Sequence, residues 1–200
     1  MYDALGRRIQ RSTNAGANER YVYDGPNVLA DLNADSSAAA TYLNGLSIDS
    51  HLRQTSAAET SYYLSDHLGS TAGLADASGS LMEADSYESF GNSAGSVQTR
   101  YGYTGRERDP DTGLIYYRSR LYDPQLGRFI SEDPIGLRSG DINLYGYVKN
   151  RPLLFTDPSG MQRCDPVVGA LVGAGVGGAL GLVGGALFGV PAGAVVGELA

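Results

Sequence analysis

Hydrophobic positions fall into two unlike arrangements along this chain. Up to Gly160 they come in short, tyrosine-rich runs such as Arg20-Tyr21-Val22-Tyr23 and Arg100-Tyr101-Gly102-Tyr103-Thr104, bounded by Gly, Asn and Asp. That pattern predicts short β segments broken by turns, with no long helix. Asp76-Ala77-Ser78-Gly79, between 70–74 and 81–86, and Asp111-Thr112-Gly113, between 101–104 and 114–122, read as hairpin or bulged-loop connections. From Pro166 to Gly197 the chain instead runs through 32 uncharged residues, mostly Val, Ala, Leu and Gly.

The turns repeat. Tyr2-Asp3-Ala4-Leu5-Gly6-Arg7, Tyr23-Asp24-Gly25 and Tyr122-Asp123-Pro124-Gln125-Leu126-Gly127-Arg128 share a Tyr-Asp start, twice followed by Gly-Arg. A repeated hairpin explains this: the Tyr packs on a sheet with its hydroxyl bonded, the Asp closes the turn and the Gly takes the positive φ. Asp-Pro recurs at Asp109, Asp123, Asp133, Asp157 and Asp165, so five of the eight prolines follow an aspartate. Each of these is by default a turn, because proline holds the preceding residue extended and the Asp side chain bonds the backbone that follows.

Composition sharpens the division. All 14 tyrosines precede Gly160, and beyond it the only charged residues are Arg163, Asp165 and Glu198. With 15 basic and 22 acidic residues the net charge is -7, which disfavours a nucleic-acid partner, since phosphate binding needs clustered Lys and Arg. One cysteine, Cys164, builds no intrachain disulfide framework, and with His51 and His67 as the only histidines no zinc set is implied. No metal and no cofactor is expected. The start, Met1 to Arg8, has neither the basic nor the apolar region of a secretory signal, so export would need a signal-peptide-independent route. The chain opens directly in a repeat-like motif, and an upstream part of a longer protein is expected.

From Tyr62 the residues resemble the rearrangement-hotspot (RHS) repeat-associated core that ends YD-repeat shell proteins. The matching elements come in order: Tyr62-Tyr63-Leu64-Ser65-Asp66-His67-Leu68-Gly69-Ser70-Thr71, Tyr87-Glu88-Ser89-Phe90-Gly91, Tyr103-Thr104-Gly105, Asp111-Thr112-Gly113-Leu114 and Arg118-Ser119-Arg120-Leu121-Tyr122-Asp123-Pro124. The most specific stretch runs from Leu126 to Leu137, followed by 143–152 and Asp157-Pro158-Ser159-Gly160. The resemblance implies a mainly β fold: YD-repeat hairpins over 1–61, an RHS core over 62–161 closing one end of a hollow β-shell, and a variable C-terminal segment over 162–200. In bacterial relatives that segment is often a toxin, delivered by type VI secretion, insecticidal toxin complexes or the cell surface. An upstream shell, a secretion apparatus and an immunity protein are the implied partners.

The resemblance also implies self-cleavage just after the second Asp-Pro-x-Gly, by a pair of aspartates at Asp133 and Asp157. Two carboxylates within hydrogen-bond reach do not both ionise cheaply, so one serves as acid while the other activates water. Arg128 is the expected guanidinium, holding a carboxylate ionised or polarising the scissile carbonyl, with a shell salt bridge as its alternative role. The scissile bond falls at Met161-Gln162, with Met where the family usually has Leu. His67, crowded with Asp66 and Ser70 in one extended run, is not expected to be a triad member, since alternate side chains point to opposite faces.

In the C-terminal segment Gly169, Gly173, Gly177, Gly181, Gly185, Gly189, Gly193 and Gly197 recur every fourth residue. On an α-helix this spacing makes a groove that lets another helix approach closely, and the length exceeds the roughly 20 residues that span a bilayer. A helix this rich in glycine, at about 1 kcal/mol each relative to Ala, needs a membrane or a protein partner to form. The expectation is a glycine-zipper α-helical segment, membrane-associated over 166–197, as one tilted helix or as a hairpin turning near Gly184-Gly185 or Val190-Pro191. An apolar segment packed inside the shell is the alternative. For the whole protein, a non-catalytic cell-surface or adhesion protein with a membrane anchor is the second reading.

Overall fold

The computed structural model describes residues 1–12, 18–95 and 99–161. The glycine-zipper segment, with Gly169 through Gly197, Gln162, Cys164 and Asp165, lies outside the described residues.

What is described is mainly β. Eight strands form one antiparallel sheet in strict sequence order: β1 (Gln10–Ser12), β2 (Asn18–Asp24), β3 (Asn27–Leu32), β4 (Ala38–Asn44), β5 (His51–Ser56), β6 (Thr60–Ser65), β7 (Thr71–Ala75) and β8 (Leu81–Ala84). Every strand pairs with its neighbours in sequence, so the unit is a strip of successive hairpins. The expected boundary at residue 61 falls inside β6, and the strip runs through it. A second antiparallel sheet has the order β12-β11-β10-β9, from β9 (Glu107–Arg108), β10 (Ile115–Tyr117), β11 (Arg120–Asp123) and β12 (Arg128–Phe129). The helical turns among the described residues are short 3-10 segments, such as Tyr103–Gly105.

The repeat chemistry is visible at the turns. Asp3 Oδ1 accepts the N–H groups of Leu5 and Arg7, and Asp123 Oδ1 those of Gln125 and Leu126. Gly6, Gly25 and Gly127 all have positive φ. Tyr23 donates its hydroxyl to the Arg8 carbonyl at 3.0 Å and Tyr122 to the Phe90 carbonyl at 2.8 Å. Asp76–Gly79 closes the β7–β8 hairpin, its carboxylate accepting from Ser78 and Ser80.

Two sequence expectations need correction. Tyr103 and Thr104 do not lie on a strand: Thr104 has φ +52, and its N–H turns to the Ser70 hydroxyl at 3.0 Å. The strand expected over 114–122 is two strands, because Arg118 and Ser119 form a tight turn flanked by the Tyr117–Arg120 pair. The connection at Asp111–Gly113 therefore joins β9 to β10.

Period-2 alternation puts Tyr21, Val28, Tyr42, Tyr63 and Leu74 on one face of the strip, where they pack with Tyr101. A second cluster gathers Leu68, Tyr103, Ile115, Tyr117, Tyr122, Phe129, Tyr147 and Val148. Ion pairs join the strip to the segment after residue 99: Arg100 with Asp31, Arg8 with Glu107, and Arg106 with Asp49 at 2.6 Å. A cavity of about 1300 Å³ opens on the tyrosine-bearing face, with Tyr21, Asp31, Tyr42, Arg100 and Glu107 among its lining.

Candidate functional site

Asp133 and Asp157 head two turns of the same design. In each, the Gly three residues on has positive φ, at +59 for Gly136 and +66 for Gly160, and donates its N–H to the aspartate carbonyl. Asp109 and Asp123 form turns as well, accepting backbone N–H groups through their carboxylates. What distinguishes Asp133 and Asp157 is burial, at 4% and 0% exposure.

Arg120 joins them. As the first residue of β11, it is turned inward with Tyr122 by strand alternation, and its guanidinium stacks on the Phe129 ring at 3.5 Å. Its Nη2 lies 3.2 Å from Asp133 Oδ2 and 3.3 Å from Asp157 Oδ2. Its Nε donates to the Gly160 carbonyl at 2.6 Å, and its Nη1 to the Leu144 carbonyl at 3.1 Å. Burial pulls the Arg120 guanidinium below its ordinary pKa, against the attraction of the two carboxylates. One planar cation thus meets both aspartates and the backbone carbonyl just before Met161.

The carboxylates are not equivalent. Asp157 Oδ1 accepts the Met161 N–H at 3.1 Å and the Ser159 hydroxyl at 3.1 Å. Asp133 Oδ1 accepts the Ile135 N–H at 2.9 Å, while its Oδ2 is buried beside Arg120 without a directed hydrogen bond. The loop's close packing requires Gly160: a Cβ there would overlap the Tyr117 carbonyl.

Arg128, the guanidinium expected from the sequence, is elsewhere. It is exposed on β12, where alternation turns Phe129 inward and Arg128 out. Arg120, which the sequence reading passed over, takes the place between the aspartates. The signal was present in the run Arg128-Phe129, since a large aromatic takes the buried phase of a strand. His67 is exposed and 3.3 Å from the Leu153 carbonyl, whereas Ser70 is buried and bonded to the Thr104 N–H. Asp66 caps its own turn through Leu68 and Ser70. Among the described residues no group of three or more His, Cys, Asp or Glu could hold a metal, and no helix is long and apolar enough to cross a membrane.

Residues 1–153 match the Teneurin YD-shell family. The chain is 33% identical over 170 residues to the tRNA nuclease WapA of Bacillus subtilis (strain 168), covering 80% of this chain and 7% of that protein. It is 40% identical over 109 residues to toxin subunit YenC2 of Yersinia entomophaga, covering 50% of this chain and 11% of that one. A crystal structure of TcdB2-TccC3-TEV shares the fold, with a TM-score of 0.63 at 24% identity over 80% of this chain and 9% of the other. The chain thus spans a small part of these larger proteins. With the family match extending over most of its length, the chain belongs to the Teneurin YD-shell family, among the RHS/YD-repeat proteins of polymorphic-toxin type.

Proposed function

We propose that this chain is the closing end of a YD-repeat shell, and that it cuts itself between Met161 and Gln162 to free the C-terminal segment. The observation that carries the reading is the bond from the Met161 N–H to Asp157 Oδ1, made within reach of the guanidinium that also meets Asp133 and the Gly160 carbonyl. The Gly160–Met161 peptide unit, which immediately precedes the proposed scissile bond, is gripped at both ends.

In this reading one carboxylate takes a proton from water while the water oxygen bonds the Met161 carbonyl carbon. The Met161–Gln162 bond then breaks, and the protonated carboxyl gives its proton to the departing amine. Arg120 offsets the negative charge of the pair and of the developing oxyanion. The tyrosine-bearing face of the strip encloses the segment before release, and the cavity on that face supports this role.

The freed segment begins with the glycine-periodic stretch, for which we propose a membrane-inserting role over 166–197. The relatives' names, a tRNA nuclease and a toxin subunit, support a toxin-type cargo held in check by an immunity protein and delivered through a secretion apparatus or at the cell surface. A fragment starting at Gln162, found by N-terminal sequencing and lost in Asp133→Asn and Asp157→Asn, tests the cleavage. Residues 162–200 fused to a reporter and mixed with lipid vesicles test the membrane role: a fusion that stays monomeric in the aqueous phase would refute it.

A further inference from the structure

Arg118 occupies the turn between β10 and β11 with φ +54, and Asp49 the turn between β4 and β5 with φ +60. Glycine takes such a backbone without steric penalty, and arginine does not. A strained residue retained at a turn directs attention to what its side chain does there. The Arg118 guanidinium forks onto Asp49, Nη2 to Oδ1 at 2.7 Å and Nη1 to Oδ2 at 3.0 Å. Its Nη1 also donates to the Pro158 carbonyl, inside the loop that carries Asp157. Asp49 is anchored in turn by Arg106 Nη1 at 2.6 Å and by its own N–H on Asn27 Oδ1 at 3.2 Å.

The turn therefore holds the loop in three places. Arg118 takes the Pro158 carbonyl, the Ser119 N–H takes the Ser159 carbonyl at 3.3 Å, and Arg120 takes the Gly160 carbonyl. Arg120 meets the carboxylates, whereas Arg118 reaches back to the strip. We propose that Arg118 is a positioning residue: through Asp49 it ties the 157–161 loop to the β4–β5 turn, so that the loop takes its reactive geometry when the strip is docked on it. The inference rests on the self-cleavage reading and adds that cleavage depends on closure of the strip.

Arg118→Gly separates this role from a purely structural one, because glycine relieves the turn while deleting the side chain. In the full chain carrying Asp133→Asn, to keep it uncut, hydrogen exchange of the Met161 amide should rise at least tenfold in Arg118→Gly. Arg118→Lys should restore part of the protection, since it keeps the charge without the fork. In the otherwise unaltered chain, a cell-free translation time course should show cleavage slowed at least tenfold by Arg118→Gly. Met161 exchange within twofold of the parent in Arg118→Gly would overturn the proposal. If the unaltered chain is never cut but Met161 exchange rises, the positioning role stands and the cleavage reading falls. If Arg118→Gly is cut at the parent rate with unchanged exchange, cleavage stands and the positioning role falls.

Discussion

The carboxylate of Asp157 accepts the backbone N–H of Met161, four residues on, so the aspartate is bonded to the residue whose carbonyl it is proposed to help cleave. Arg120 completes the enclosure from the other side through Gly160, and the loop between is fixed by its own turn.

Removing the guanidinium should be far costlier at Arg120 than at Arg128. In the uncut Asp133→Asn background, Arg120→Met removes the guanidinium from beside the buried Asp157 carboxylate, and loss of one partner from a buried ion pair costs about 3–5 kcal/mol. Arg128 is exposed, so Arg128→Met should change stability by less than about 0.5 kcal/mol. Urea denaturation of the two variants in the uncut Asp133→Asn background measures the difference, and equal effects would contradict the assignment.

The two Asp-Pro-x-Gly glycines should respond unequally to Ala. At Gly136 a Cβ meets nothing within 4 Å, so Gly136→Ala carries only the strain of a positive φ, about 1–2 kcal/mol. At Gly160 the same strain is joined by overlap with the Tyr117 carbonyl. Gly160→Ala should therefore destabilise more than Gly136→Ala in thermal unfolding and should displace the loop, lowering the cleaved fraction.

That contrast marks how far the sequence was legible. The turns were readable because Asp, Pro and Gly act locally, and the pairing of Asp133 with Asp157 came from the family resemblance, not from the Asp-Pro repeats themselves, which read as turns. Arg120 was not, because both Arg120 and Arg128 precede an apolar or aromatic neighbour, and choosing between them requires the buried phase of each strand. Phe129 sets that phase on β12 and Tyr122 on β11, a matter of tertiary packing. Tyr103 and Thr104 were misread for a similar reason: a Tyr-rich run reads as strand until Ser70 offers the backbone another partner.

Acid should weaken the fold in two windows. Burial outweighs the attraction of Asp49 and the bond to the Gly105 carbonyl, and pushes His51 from 6.5 down to about 4. As pH falls below 6.5 the unfolded chain binds a proton that the folded chain refuses, so stability falls until about pH 4, by on the order of 3 kcal/mol. His51→Gln should flatten this limb. Burial pushes Glu107 up, but Arg100, Arg8 and Arg106 pull harder and hold it at about 2, against 4.5. Its stabilisation is present above 4.5 and is lost as pH falls towards 2, a limb that Glu107→Gln should remove. Denaturant titrations across this range measure both.

The central claim is self-cleavage by Asp133 and Asp157. Intact-mass and N-terminal analysis of the chain expressed with an upstream YD-repeat shell tests it most directly. The account predicts a released fragment beginning at Gln162, absent from Asp133→Asn and from Asp157→Asn. An uncut parent chain, a fragment beginning at Met161, or cleavage that persists in both variants would contradict it.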